Sequence, residues 1–249
     1  MRWPALLFPM LFGALPGPAD AEAVACEQIT HDGQPYTICR VDAAQDLRLF
    51  LYNEAGEPFG QFGQVDQALN AKGARLAFAM NAGMYHADRA PVGHYVEDGE
   101  ELRGVIASAG PGNFGLLPNG IFCIGADRAD VIETRRYLDA PPECRYATQS
   151  GPMLVIDGAL HPRFLVDSDS RYVRNGVGTS EDGQQIVFAI SETPVTFHEF
   201  GRLFRDRLAL PQALFLDGNI SRLYAPGLNR ADFGRPMGPI VGVVVPAAE

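Results

Sequence analysis

The chain has 249 residues, 47% of them hydrophobic, with 27 glycines, 19 prolines and a formal charge of −10. That composition is globular and rich in turns, and the length suits a single sizeable domain. The acidic balance argues against nucleic-acid binding, whose phosphate contacts need a basic face, and solubility alone accounts for it.

The first segment has the order of a secretory signal. Arg2 supplies one positive charge, an apolar stretch runs from Ala5 to Leu15, and small residues follow in Ala19-Asp20-Ala21 and Ala21-Glu22-Ala23. Residues 1–21 are therefore expected to be a signal peptide, with cleavage after 21 or after 23, leaving 22–249 as the mature domain. The apolar run is broken by Pro9 and Gly13 and is too short for roughly 30 Å of hydrocarbon. No later run approaches about 18 apolar residues, so no integral membrane segment is expected after cleavage. The chain is therefore expected to be exported, periplasmic or secreted. The run Ala23-Val24-Ala25-Cys26 resembles a lipoprotein processing site, but Asp20 and Glu22 interrupt the apolar approach.

An even number of cysteines in an exported chain favours disulfides. The preferred pairing of Cys26, Cys39, Cys123 and Cys144 is 26–39 and 123–144, because each closes a short loop. A loop of that size stabilises by about 3 kcal/mol through the unfolded chain. There is no C-x-x-C and no histidine at finger-like spacing, so a metal reading of these cysteines is weak.

Along the chain, alternating or apolar runs at 36–42, 47–53 and 75–80 predict strands, with a short helix at 64–72 closed by Gly73. A hairpin is expected at 92–96 through Asp98-Gly99. Strands follow at 121–125 and 153–156, the latter turning at Asp157-Gly158, and at 173–178, turning at Asp182-Gly183 into 186–190. Thr196 with Glu199 three residues on makes a capping box. Phe197, Phe200, Leu203, Phe204 and Leu208 then share one face of a helix over 196–208 and read as core. Strands at 213–216 and 240–245 come last. The pattern predicts an α+β domain: a mixed, largely antiparallel sheet with a few covering helices.

Four polar, glycine-marked segments interrupt this grammar: Asn81-Ala82-Gly83-Met84-Tyr85-His86, Ser150-Gly151-Pro152, Arg171 through Gly178, and Leu216-Asp217-Gly218-Asn219-Ile220-Ser221. Taken singly, each is turn chemistry. Together and in this order they resemble the phosphodiester glycosidase family, its bacterial branch more than its animal members, over roughly residues 76–245. Ala82 stands where the family has a glycine, and Asn219-Ile220 replace a glycine pair, which alters the space beside the site. Asn219-Ile220-Ser221 is also a glycosylation sequon, and a glycan there would cover the site.

The resemblance implies hydrolysis of the glycosidic bond of a sugar-1-phosphodiester. Such a leaving group is already a stable anion, so the site needs phosphate donors and a carboxylate more than a strong general acid. Asp217 is the first candidate carboxylate and Glu192 the second; Arg174 offers a guanidinium fork to the phosphate, with Arg171 behind it. Asn81, Gly83, His86, Ser150, Gly151, Gly218 and Asn219 are the substrate-binding candidates. The expected partner is a sugar phosphate or glycan, with no cofactor and no metal. His86 and His94 are eight apart across Pro91 and Gly93, a spacing that suits a loop better than a metal site. The glycine-rich 109–115 lacks Lys-Ser/Thr and a following helix, so it reads as a surface loop. Ser150 lacks a G-x-S-x-G context for a nucleophile. The alternative function is a non-catalytic envelope glycan or glycolipid binder on the same scaffold.

Overall fold

The computed structural model describes residues 24–217 and 219–247, so the expected signal peptide and Gly218 lie outside the described residues. β1 (Ala25–His31) and β2 (Gln34–Asp42) form a hairpin; β3 (Leu47–Phe50) and helix α1 (Phe62–Asn70) lead into β4 (Ala74–Asn81). β5 (Tyr95–Glu97), β6 (Glu100–Arg103), β7 (Gly120–Ile124) and β8 (Ala129–Glu133) precede the short α2 (Thr134–Asp139). β9 (Tyr146–Ser150), β10 (Met153–Ile156), β11 (Ala159–Leu160), β12 (Asn175–Thr179) and β13 (Gln185–Ser191) lead to α3 (Phe197–Arg202), which widens into a π-turn over Leu203–Arg207. β14 (Gln212–Asp217), β15 (Leu223–Ala225), β16 (Arg230–Ala231) and β17 (Ile240–Pro246) come last.

The class is α+β and the fold is one domain, with strands divided among three sheets. A seven-stranded sheet has the order β1-β2-β13-β12-β14-β10-β11. Two five-stranded sheets run β16-β15-β4-β17-β3 and β6-β5-β9-β7-β8. The expected mixed sheet is antiparallel at every described pairing. The β13–α3–β14 crossover shows why the sequence suggested otherwise: β13 and β14 run parallel to each other, but β12 lies between them, antiparallel to both.

Alternation along the strands builds two layers of core. Ile186, Phe188 and Ile190 of β13 face inward with Phe78 of β4 and Phe122 of β7, joining all three sheets in one cluster. Val187 and Ala189 face outward, where Phe200 and Phe204 cover them. Phe62, Val65 and Leu69 of α1 cover β4 and β17 in the same way, and Tyr137 of α2 covers β7 and β9. The capping box at α3 forms as expected: Thr196 Oγ1 accepts from Glu199 N at 3.1 Å, and Glu199 accepts from Thr196 N at 2.9 Å. Both disulfides have the expected pairing; Cys26 and Cys39 sit directly opposite in the β1–β2 hairpin.

Phe188 packs its ring at 4.9 Å from Phe78 and 5.9 Å from Phe122, so it links three sheets. Phe188→Ala is expected to lower stability by about 3–5 kcal/mol in urea unfolding. A loss well under 1 kcal/mol would show that the inter-sheet cluster does not hold the domain together.

Candidate active site

The motif segments converge at one end of the seven-stranded sheet, and strand parity decides which side each residue takes. On β14, Leu214 and Leu216 point into the inner core, whereas Phe215 points outward under α3. Asp217, two residues beyond Phe215, therefore belongs to the outer face. On β12, Val177 points inward while Gly176 and Gly178 face α3. A Cβ on Gly176 would lie 3.2 Å from the Phe200 ring, and one on Gly178 would lie 2.9 Å from Phe204. Only glycine lets those aromatics approach, and Arg174 emerges on the same face just before the strand. A register shift between Asn175 and Gly176, an irregularity of the kind that re-aims side chains beside functional sites, brings Asn175 opposite Asp217.

Asn175 takes the inner side and meets Asn81 from β4. Its amide donates to Asn81 O and Asn81 Oδ1, each at 3.0 Å, and its own Oδ1 accepts from Asp217 N at 3.0 Å. Asn81 Oδ1 also accepts from Arg222 N at 2.9 Å. Ser221 Oγ closes the turn by donating to Asp217 O at 2.9 Å and Val173 O at 3.0 Å. Asn81 thus stands in the wall behind the site, fully buried. Gly83 follows with φ +140, and a Cβ there would sit 2.9 Å from Thr148 Oγ1.

Outside this wall lies a cleft of about 890 Å³. Asp217, Arg174, Tyr85, Tyr172, Asn219 and Arg235 are among the residues that line it. Asp217 is the acidic side chain lining it among the described residues, and its Oδ1 accepts from Asn219 N at 2.9 Å. Arg174 is almost wholly buried, yet it has no ion pair among the described residues. Its Nε donates to Val195 O and its Nη2 to Ser170 O, both at 2.9 Å, so two of the expected fork's nitrogens are spent on backbone carbonyls. Nη1 is shut off from solvent and has no hydrogen-bond partner. The guanidinium carbon sits 3.7 Å from the Phe197 ring centre and 5.4 Å from that of the half-exposed Tyr172. Burial draws its pKa down to about 10, which still leaves it charged at neutral pH. The fold thus holds a desolvated cation at a cost that an anion can offset.

The other candidates are placed elsewhere. Glu192 does not line the cleft: Arg230 Nη1 donates to it at 2.5 Å and Thr37 Oγ1 at 2.6 Å. Arg171 is paired with the capping Glu199 at 2.6 Å. Ser150 is buried and donates to Leu216 O at 2.8 Å, and Gly151 packs so closely that a Cβ would lie 2.7 Å from Asn119. His86 is exposed in a turn beyond the cleft lining, while His94 is buried between Arg103 O and Tyr137 OH. Gly218 lies outside the described residues. The 109–115 loop is exposed at 109–113, as a surface loop should be, and it also supplies Pro111, Gly112, Asn113 and Phe114 to the cleft lining, a role the sequence did not suggest. Tyr85, Arg89 and Arg235 were also missed as site residues; Tyr85 alone lay inside a motif.

A larger concavity, about 1330 Å³, flanks the Cys123–Cys144 disulfide. Arg128–Asp130 and Arg136–Asp157 at 2.7 Å and Arg145–Asp98 at 2.9 Å pair its three arginines, while Asp127, Glu133, Glu143 and Glu181 leave its lining acidic. Volume alone would favour it, but an acidic lining repels an anionic substrate, and the buried cation lies in the smaller cleft.

Asn175→Ala would strip an acceptor from the Asp217 N–H and a partner from Asn81. It is expected to cost about 2–3 kcal/mol in chemical denaturation, for the buried donors left unsatisfied. A neutral result would remove the amide pair as the brace of the site.

A family model for phosphodiester glycosidases matches residues 74–244. An uncharacterised Escherichia coli K12 protein, YigE, is 30% identical over 207 residues, covering 83% of this chain and 80% of its own. In fold, the chain is similar to the catalytic domain of zebrafish N-acetylglucosamine-1-phosphodiester α-N-acetylglucosaminidase, auto-inhibited by its pro-peptide. That likeness has a TM-score of 0.61 at 14% identity, covering 88% of this chain and 81% of that one. A Burkholderia pseudomallei protein shows a similar fold, with a TM-score of 0.55 at 12% identity over 84% and 74% of the two chains.

Proposed function

This chain belongs to the phosphodiester glycosidase family, and from that premise we propose that it is an exported hydrolase cleaving the glycosidic C–O bond of a sugar-1-phosphodiester. Water and the diester give free sugar and a phosphomonoester. The observation that carries this reading is the presence, in one cleft, of the Asp217 carboxylate and an Arg174 cation that forms no ion pair among the described residues.

Arg174 Nη1 is the donor left for a phosphate oxygen, and the half-exposed Tyr172 is the part of its aromatic surround that meets solvent. An anion brought there gains a charge-assisted hydrogen bond in a desolvated setting, where such bonds are strongest. The same contact steadies negative charge as it collects on the departing phosphate. Asp217 faces the developing oxocarbenium ion as stabiliser or nucleophile, held by the Asn175 and Asn219 contacts. Glu192, neutralised by Arg230 outside the cleft, has no role in this scheme. The scheme tolerates that, because a phosphate leaves as a stable anion without strong acid help. Burial and then the charge on Asp217 push the Tyr85 phenol up, so it stays protonated and able to donate. The two disulfides support an oxidising compartment and hence export.

The position of Glu192 favours one second reading, a non-catalytic binder of an envelope glycan or glycolipid. Release of free sugar from a panel of sugar-1-phosphodiesters separates the two. The wild type is expected to turn over, with Asp217→Asn and Arg174→Gln each lowering kcat/KM by roughly 10²–10³-fold. Glu192→Gln should stay within a few-fold of wild type, by the estimate for a partly exposed ion pair. Full activity in Asp217→Asn would overturn the assignment, and binding without product would select the second reading.

A further inference from the structure

Three arginines line the cleft, and a phosphodiester carries one negative charge. Arg174 suffices for that charge. Arg89 and Arg235 remain, and among the described residues neither side chain has an ion pair or hydrogen bond. Arginines at 48, 128, 136, 145, 171, 202, 205 and 230 meet carboxylates, and what sets Arg89 and Arg235, with Arg174, apart from the other arginines without one is that they line the cleft. In a protein of net charge −10, three cations against one carboxylate in a cleft mark a site for an anion.

Both side chains are organised around Tyr85. The Arg89 guanidinium lies 5.5 Å from the Tyr85 ring centre, in cation–π contact. On the other side, the Tyr85 hydroxyl donates to Pro236 O at 3.2 Å, next to Arg235. The backbone there is pinned further, because Arg235 O accepts from Arg222 Nη2 and Met237 N donates to Gly60 O at 2.8 Å. Arg235 therefore projects from a fixed root. Arg89 adds an independent sign. Its φ is +75, a left-handed conformation that glycine or asparagine would adopt more cheaply. The turn that imposes it is closed by Arg89 N to His86 O at 2.9 Å and His86 N to Ala90 O at 2.8 Å. A bulky cation kept at a strained position beside a cleft points to use rather than to folding.

We propose that Arg89 and Arg235, on either side of Tyr85, form a second anion subsite that binds a further phosphate group carried by the leaving-group half of the substrate. This rests on the reading of Arg174 and Asp217 as the reacting centre. The substrate class is then a sugar-1-phosphodiester whose aglycone is itself phosphorylated. The diester phosphate goes to Arg174, and the second phosphate goes to the outer flank, where Asn219 and Arg235 also border a smaller adjoining pocket.

The test is calorimetric binding of alkanediol bisphosphates of increasing length, each against the matching alkyl monophosphate, on the intact mature protein. At least one bisphosphate is expected to bind roughly tenfold or more tightly than its monophosphate. Arg89→Gly and Arg235→Gln should each reduce that preference by roughly three- to tenfold. Arg89→Gly also relieves the left-handed strain, so its melting temperature should not fall, which separates lost binding from lost folding. Equal affinity for mono- and bisphosphates at every length would overturn the subsite. So would a preference that survives the Arg89→Gly/Arg235→Gln double variant. If the preference behaves as expected but no sugar-1-phosphodiester is hydrolysed, the subsite stands and the catalytic reading falls.

Discussion

Asn81 and Asn175 meet, fully buried, where the second sheet runs into the first, and the geometry of the cleft is referenced to that contact. Each amide satisfies the other while reaching a backbone group of a third segment: Asn175 holds the N–H of Asp217, and Asn81 holds that of Arg222. Strand pairing alone cannot do this, because β4 and β14 belong to different sheets. Hydrophobic packing presses those sheets together but does not set the register between them to a fraction of an ångström. A saturated amide network does, because a shift would leave buried donors and acceptors unpaired. The backbone of Asp217 is thereby fixed in space, and its carboxylate lines the cleft.

The second layer of the design is a division of labour between the two faces of one sheet. Residues facing inward from β12–β14 are apolar or amide and serve cohesion. Residues facing outward at the same strand ends carry charge. Gly176 and Gly178 let α3 settle directly onto β12, and the Phe197 ring at its start lies over the Arg174 guanidinium. The cation is thus shielded by aromatic rings rather than neutralised by acids. That choice preserves its full attraction for an incoming anion, whereas an ion pair such as Arg230–Glu192 has already spent it. The difference between Arg174 and Arg171 is of the same kind: three residues apart, one is buried and unpaired, the other exposed and paired with Glu199.

Much of this was legible in the sequence, for identifiable reasons. The capping box at Thr196, the local disulfides and the alternating strands are short-range signals, and each is present as expected. Asp217 stood out because an apolar strand ends on it beside glycine, and strand ends are where a scaffold presents polar groups. Glu192 looked equivalent by that criterion, also closing an apolar strand. Its fate depends on Arg230 and Thr37, 38 and 155 residues away in sequence, and no local pattern reports such partners. The 109–115 loop failed as a phosphate loop for a sound reason, but its role as a cleft wall comes from tertiary placement alone. Arg89 and Arg235 carried no motif; only their placement in the cleft of the folded chain distinguishes them.

The turn after Asp217 acquires a physical meaning in this setting. Ile220 packs against the cluster beneath α1 as well as lining the cleft. Asn219, its neighbour, donates its backbone N–H to Asp217. Side chains there take away room beside the carboxylate and tie the turn to the second sheet, the same sheet that Asn81 already links to Asp217 from behind. A reaction whose leaving group is a stable anion asks little of proton transfer and much of charge placement. The proposed chemistry accordingly calls for a stiff wall, one carboxylate and a buried cation, and it leaves Glu192 to its ion pair with Arg230.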